Sequence, residues 1–313
     1  MELKTLTVPV GAALVICLGL WSAHLDAEPG YSEWSVPINL SSVVNSAAED
    51  FAPHISKNGL SLYFASTRPG GLGGEDLWVS KRARSDDPWG VPINLGSVIN
   101  TGANERSPGV SRDGHQLFFA TTRPGGSGGF DIWVSWRHDV RDDFGWQPPV
   151  NLGAQFNSAS TDAGPAFFEN DDGGIPLLFL ASNRAGGAGG LDIYVSELNA
   201  NGSFGPPVLV TELCGAVNDL TPSVRHDGLE IFIASNREGS IGAQDLWVST
   251  RGAVGEPWSA PVNLGAAINS SVNDNFPSVS SDREILFFSS DRPGGTGGSD
   301  IYMSTRAKHA ELH

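Results

Sequence analysis

The chain reads as an all-β protein, a five-bladed β-propeller, and three observations predict this. One stretch is written five times: STRPGGLGGEDLWVS from Ser66, TTRPGGSGGFDIWVS from Thr121, SNRAGGAGGLDIYVS from Ser182, SNREGSIGAQDLWVS from Ser235 and SDRPGGTGGSDIYMS from Ser290. Its arginine returns every 53 to 61 residues, the signature of one structural unit repeated. Short β-rich runs and turn signals surround each copy, and no helical period runs through them. Composition agrees. With 39 glycines, 20 prolines and 17% charged residues in 313, the chain is too apolar for disorder and too glycine-rich for a helical protein.

Residues 1–27 stand apart. Lys4 precedes a largely apolar run from Leu6 to Trp21, which reads as an export signal, or failing cleavage as an N-terminal anchor. The expected location is therefore outside the cytoplasm, periplasmic or extracellular. Residues 28–313 read as one domain. Cys17 falls in the leader, so Cys214 is the single thiol of that domain and has no partner for an internal bridge. The core and the strand ladders must hold the fold.

Each unit carries four short strands. The first bears a proline, at 53, 108, 165, 222 and 277. A turn follows at Asn58-Gly59, Asp113-Gly114, Asp172-Gly173 and Asp227-Gly228, with Asp282-Arg283 as the exception. A second β run leads into the glycine-rich loop, and a third strand opens on the recurrent Asp. The fourth is WGVPINL at Trp89, WQPPVNL at Trp146 and WSAPVNL at Trp258, but FGPPVLV at Phe204, which has lost the Trp and the Asn. An orphan fourth strand, WSVPINL, precedes the first unit at Trp34, and the fifth unit stops at its third strand near Arg306. Residues 33–40 are thus expected to pair beside 301–305 and close the ring, leaving no open edge. The blades span about 50–97, 105–153, 162–210, 219–265 and 274–306 plus 33–40.

The Pro-x-x-Ser-x-Asp-Gly of the first two strands, the Phe-x-Ser-x-Arg and the Asp-Ile-Trp together resemble the WD40-like propeller repeats of the TolB-like superfamily, over residues 33–306. The resemblance implies an exported bacterial propeller that binds proteins or envelope components. It does not carry over the extra N-terminal domain, the usual six blades or the envelope-transport role of the superfamily's namesake, nor the peptidoglycan-binding domains that often accompany such repeats.

A formal charge of −16 excludes a nucleic-acid footprint. It equally disfavours docking on anionic lipid beyond an N-terminal anchor. The histidines show no metal-ligand spacing, and the Gly-x-Ser-x-Gly string around Ser127 has no helix after it. No cofactor is required by this reading.

Three sets of residues could carry chemistry. The first is the pairing expected within each repeat of Arg68 with Asp76, Arg123 with Asp131, Arg184 with Asp192, Arg237 with Asp245 and Arg292 with Asp300, as scaffold forks across the glycine loop. The second is an acid three residues before each proline: Asp50, Glu105, Asp162, Asp219 and Asp274. On innermost strands these would ring the channel mouth, where they would favour Ca²⁺ or raised pKa values. The alternative is that each acid caps its own turn. The third set breaks the repeat beside those acids: Phe51, Arg106, Asn275 and Phe276.

The function expected from this is an exported, monomeric, non-catalytic scaffold. It would bind a protein, peptide or glycan on the glycine-loop face, more a binding module than an enzyme. The alternative is a carbohydrate-active hydrolase using two mouth carboxylates.

Overall fold

The structure is a computed structural model and describes residues 31–170 and 173–309. The leader, Cys17 and the turn position Asp172 lie outside the described residues. Five four-stranded antiparallel sheets form a ring. Blade one consists of Asp50–Ile55, Ser61–Ser66, Asp76–Lys81 and Ile93–Asn94. The other inner strands are Glu105–Val110, Asp162–Phe168, Asp219–Val224 and Asp274–Val279. Ring closure follows the sequence expectation. Ile38–Asn39 is the outer strand of blade five, with Ile38 opposite Met303 and Asn39 opposite Tyr302.

The second strand of a blade is apolar on both faces because each sheet is sandwiched between two others. All six residues of Ser61–Ser66 are buried. Side chains alternate along a strand, so Leu62 and Phe64 enter a core shared with Phe287 and Ile301 of blade five. Tyr63 and Ala65 enter a different core, shared with Leu117 and Phe119 of blade two. Backbone bonds stitch the same seams. The first inner-strand residue of each blade donates its N–H to the blade before it: Glu105 to the Glu75 carbonyl at 2.8 Å and Asp162 to the Phe130 carbonyl at 2.7 Å.

Every inner strand slips register around its proline, between Phe51 and His54, Arg106 and Gly109, Ala163 and Ala166, Leu220 and Ser223, and Asn275 and Ser278. Proline brings no N–H to the ladder, so a bulge sits there at least cost. The residue before it is left-handed in all five blades: Ala52 at φ 53°, Ser107 at 52°, Gly164 at 62°, Thr221 at 47° and Phe276 at 52°. Outside glycine this conformation costs about 1–2 kcal/mol per residue. The bulges turn prolines and small side chains toward the axis, and the channel they line encloses only about 90 Å³.

The strain at these positions is measurable. Gly164→Ala would place a β-carbon 3.2 Å from Thr221 Cα at a φ of +62°. It should destabilise the fold by about 1–2 kcal/mol, and Ala52→Gly at the equivalent position should stabilise it by up to about 1 kcal/mol. Urea midpoints at constant slope give both values. Unchanged midpoints in both variants would mean that the bulge carries no strain.

Candidate functional site: the glycine-loop mouth

Each recurrent arginine forms an ion pair, but not with the expected partner. Arg184 meets Asp162 at 2.5 Å and Arg292 meets Asp274 at 2.6 Å. Arg123 meets Glu105 at 3.3 Å, while Arg68 bonds Asp50 and Arg237 bonds Asp219. The same guanidinium nitrogen also donates to a carbonyl of the preceding loop, that of Val44, Ile99, Phe156, Leu213 or Ile268. The predicted forks to Asp76, Asp131, Asp192, Asp245 and Asp300 are therefore corrected. Those aspartates instead accept N–H groups of their own glycine loops, as Asp76 does from Leu72 at 2.9 Å and Gly73 at 3.2 Å. With no guanidinium beside them, burial raises Asp76 and Asp131 above the usual carboxylate range.

The five inner-strand acids do not ring an open mouth. All five are fully buried, and none lines the axial channel. Asp50 accepts from the Ser46 N–H at 2.5 Å, the Ser46 hydroxyl at 2.8 Å, the Ser66 hydroxyl at 2.5 Å and Arg68. The capping alternative describes what these acids do, and a Ca²⁺ ring made from them has no exposed oxygens to use. The glycine loops are structural as well. A β-carbon on Gly73, Gly128, Gly189, Gly242 or Gly297 would strike a backbone carbonyl of the next blade. The irregular fourth loop keeps glycine where φ is positive, at Gly239, and where the next blade presses, at Gly242. It loses glycine at Ser240 and Ala243.

The third set does assemble. Phe51 and Phe276 pack with ring centroids 5.5 Å apart. Arg106 stands over Phe130 at 4.1 Å and near Phe51 at 5.8 Å. It grips Glu75 through two nitrogens, one at 2.6 Å. On the other side of the mouth Asn275 bonds Gln244 and accepts from the Thr221 hydroxyl at 3.0 Å. The mouth thus offers one carboxylate, one guanidinium, two amides and three phenyl rings, unequally shared among blades. Glu75 and Gln244 were missed from sequence. Both sit 31 residues before the side chain they hold, a spacing that could have flagged them.

A second missed feature fastens the seams. Asn45 clasps Ile301, accepting its N–H at 2.8 Å and donating to its carbonyl at 3.0 Å. Asn100, Asn157 and Asn269 do the same to Leu77, Ile132 and Leu246. The signal was NLSSVVN, NLGSVIN, NLGAQFN and NLGAAIN, and the third-to-fourth junction reads VLVTELC instead. There Cys214 takes the clasp position, with its sulfur 3.2 Å from the Ile193 nitrogen. Burial, with Asp192 and Asp219 nearby, pushes its thiol up to about 12. The outer side of this same seam opens a groove of about 660 Å³ lined by Glu197, Glu212, Glu256, Arg251 and Trp258 among others.

No family model and no curated protein matches the chain. Solved structures do. An α-L-arabinofuranosidase from Lactobacillus brevis aligns at a TM-score of 0.59 and 14% identity, over 88% of this chain and 95% of that one. The arabinofuranosidase PaAbf62A of Podospora anserina, solved with cellotriose, gives 0.55 at 12%, over 89% and 98%. A GH43_1 enzyme of Xanthomonas citri, solved with xylotriose, gives 0.53 at 16%, over 89% and 92%. Identities this low show a shared five-bladed fold. The three structures named are glycosidases by name, and that finding stands against the expectation of a non-catalytic scaffold and beside the hydrolase alternative carried with it.

Two outcomes follow from the geometry. Arg123→Ala strands the buried Glu105 carboxylate and should cost about 3 kcal/mol, read from urea melts, whereas Asp131→Asn should leave the arginine's pairing intact. On the channel wall, burial holds the His54 imidazole down to about 4, against the pull of its hydrogen bond with the Val110 carbonyl. The unfolded chain protonates this group near its ordinary value of about 6.5. The stability it contributes is therefore whole above that pH and is lost as pH falls from about 6.5 through about 4. Melting temperatures across that window should fall less steeply in His54→Gln.

Proposed function

We propose that the chain is a carbohydrate-active hydrolase that takes a glycan across its glycine-loop mouth, with Glu75 as the carboxylate at the scissile bond. The observation that carries this reading is the break in five-fold chemistry at the mouth of a fold shared with arabinofuranosidases. Phenyl faces of Phe130 and Phe276, with buried Phe51 packed behind Phe276, suit the C–H surfaces of a sugar ring. Arg106, Asn275 and Gln244 supply donors and acceptors for its hydroxyls. Glu75 is held in place by Arg106 yet keeps 16% of its side chain exposed, enough to meet substrate or a water.

Glycoside hydrolysis by carboxylates uses two, and Glu75 is one. The groove at the blade-three seam favours a second reading, because it holds three exposed glutamates, Glu197, Glu212 and Glu256, in a volume suited to an oligosaccharide. The same proposal takes the repeats as WD40-like and TolB-like on their sequence marks, and the protein as an exported monomer acting on glycans outside the cytoplasm.

Reducing-sugar release from arabinan, arabinoxylan and xylo-oligosaccharides is the test. The unmodified chain should release sugar, and Glu75→Gln should slow release by about 100-fold or more at an unchanged melting temperature. Full activity in Glu75→Gln with loss in Glu197→Gln, Glu212→Gln or Glu256→Gln would move catalysis to the groove. No release from any of these substrates would overturn the hydrolase reading.

A further inference from the structure

The junction between blades three and four departs from the other four in three coupled ways. In blades two, four and five an outer-strand asparagine donates to the loop aspartate of its blade, Asn151 to Asp131 at 3.4 Å, Asn263 to Asp245 at 2.7 Å and Asn39 to Asp300 at 2.9 Å. A Ser or Thr hydroxyl donates to the next inner-strand acid, as Ser46 does to Asp50, Thr101 to Glu105, Ser158 to Asp162 and Ser270 to Asp274, at 2.7–2.9 Å. At the odd junction the asparagine is Leu209, the clasp is Cys214 and the hydroxyl position is Gly215. Asp192 and Asp219 each lose a dedicated donor, yet both stay fully buried.

Among the described residues no side-chain donor takes the missing asparagine's place at Asp192; an enclosed Oδ1 recurs at Asp76 and Asp131 of regular blades, and what sets this junction apart is the thiol beside it. The Asp192 Oδ2 takes the Ala188 and Gly189 N–H groups at 2.8 and 3.1 Å, and its Oδ1 is enclosed without a hydrogen-bond partner. The Tyr194 hydroxyl is likewise buried and unpartnered. It faces the same spot, since a β-carbon on Gly187 would touch both it and the Asp192 carboxylate. The thiol of Cys214 and the two carboxylates bring their ligand atoms within 4.8 Å of one another, the single such group among the described residues. In the four regular junctions the corresponding space is filled by amides and a hydroxyl.

We propose that this junction binds one divalent cation of the zinc type, ligated by Cys214 Sγ and by the carboxylates of Asp192 and Asp219. Binding exchanges the thiol proton for the metal. A thiolate and two carboxylates, offset by the Arg237 guanidinium beside Asp219, leave two negative charges for a dication to neutralise. Zinc bonds of about 2.0–2.3 Å set ligand atoms about 3.4 Å apart in a tetrahedron, so ligand atoms within 4.8 Å of one another close by no more than about 1.4 Å. A sulfur ligand and only two carboxylates disfavour Ca²⁺, which takes six to eight oxygens. The cation would replace the lost asparagine clasp, tying the third strand of blade three to the inner strand of blade four. The site is separate from the glycan mouth and does not rest on it.

The test is zinc titration of the chelator-stripped full chain by calorimetry, with Cd²⁺ in parallel to read the thiolate-to-metal ultraviolet band. One equivalent should bind, the band should appear, and saturation should raise the melting temperature by several degrees while Ca²⁺ does not. Cys214→Asn, and the variant L209N/C214N/G215S that restores the regular junction, should fold and lose about 100-fold or more in zinc affinity. Absence of a saturable equivalent or of the thiolate band in the unmodified chain would overturn the proposal. Equal affinity in Cys214→Asn would do the same.

Discussion

Everything in this ring depends on one buried interaction, the arginine that closes each blade over its own inner-strand acid. The acid begins the inner strand, the arginine follows the second strand, and the guanidinium also takes a carbonyl from the loop arriving from the previous blade. Three segments far apart in sequence are thereby fixed at one point. The carboxylate cannot be left unpaired in that setting, because an isolated buried charge costs several kcal/mol. Further donors saturate it, and the aromatic at the third position of the third strand, Trp78 in blade one, lies under the arginine at 5.2 Å. The third-strand aromatics are therefore scaffold, committed to the clamp and unavailable for stacking on a ligand.

A scaffold fixed this firmly leaves chemistry to the positions that the clamp does not use. Those positions are the two residues between acid and proline, the residue before the loop aspartate, and the third junction. At the first two, Arg106 and Glu75 make a cross-blade pair in one place while Asn275 and Gln244 make a neutral one in another. At the third junction the donors disappear and a thiol enters. The ring repeats itself at the clamps and departs from five-fold symmetry at the mouth and at the third junction.

Much of this was legible in the chain. The repeat gave strand order, blade number and the closing strand at 33–40, because glycine loops, prolines and alternating apolar runs are local signals. The pairing of Arg68 was misread because Asp76 is eight residues away in sequence and Asp50 is eighteen. Sequence distance misleads there, since the glycine loop bends its own N–H groups onto Asp76 and satisfies it without help. The acids were placed at the channel because inner strands do line it. Asp50, however, precedes the bulge and is buried within the blade, and the bulged Ala52 and Pro53 reach the axis instead. Glu75 was invisible because its value depends on Arg106 in the next blade, and no local pattern records a contact between blades.

The strand that closes the ring has a consequence for how the molecule is made. Ile38 must find Met303, so the earliest of the described strands waits for the latest of them. Blades one to four are each built from consecutive strands and can form before the ring closes, while both ends of the arc keep an unpaired edge. Joining ends so distant adds little entropic penalty beyond that of a shorter loop, since the closure cost grows only with the logarithm of length. The open arc is the vulnerable form, with apolar faces and strand edges bare to other chains. A chain that lacked the strand beginning at residue 300 would therefore keep both edges bare, and that strand decides whether the ring closes or the arc sticks to its neighbours.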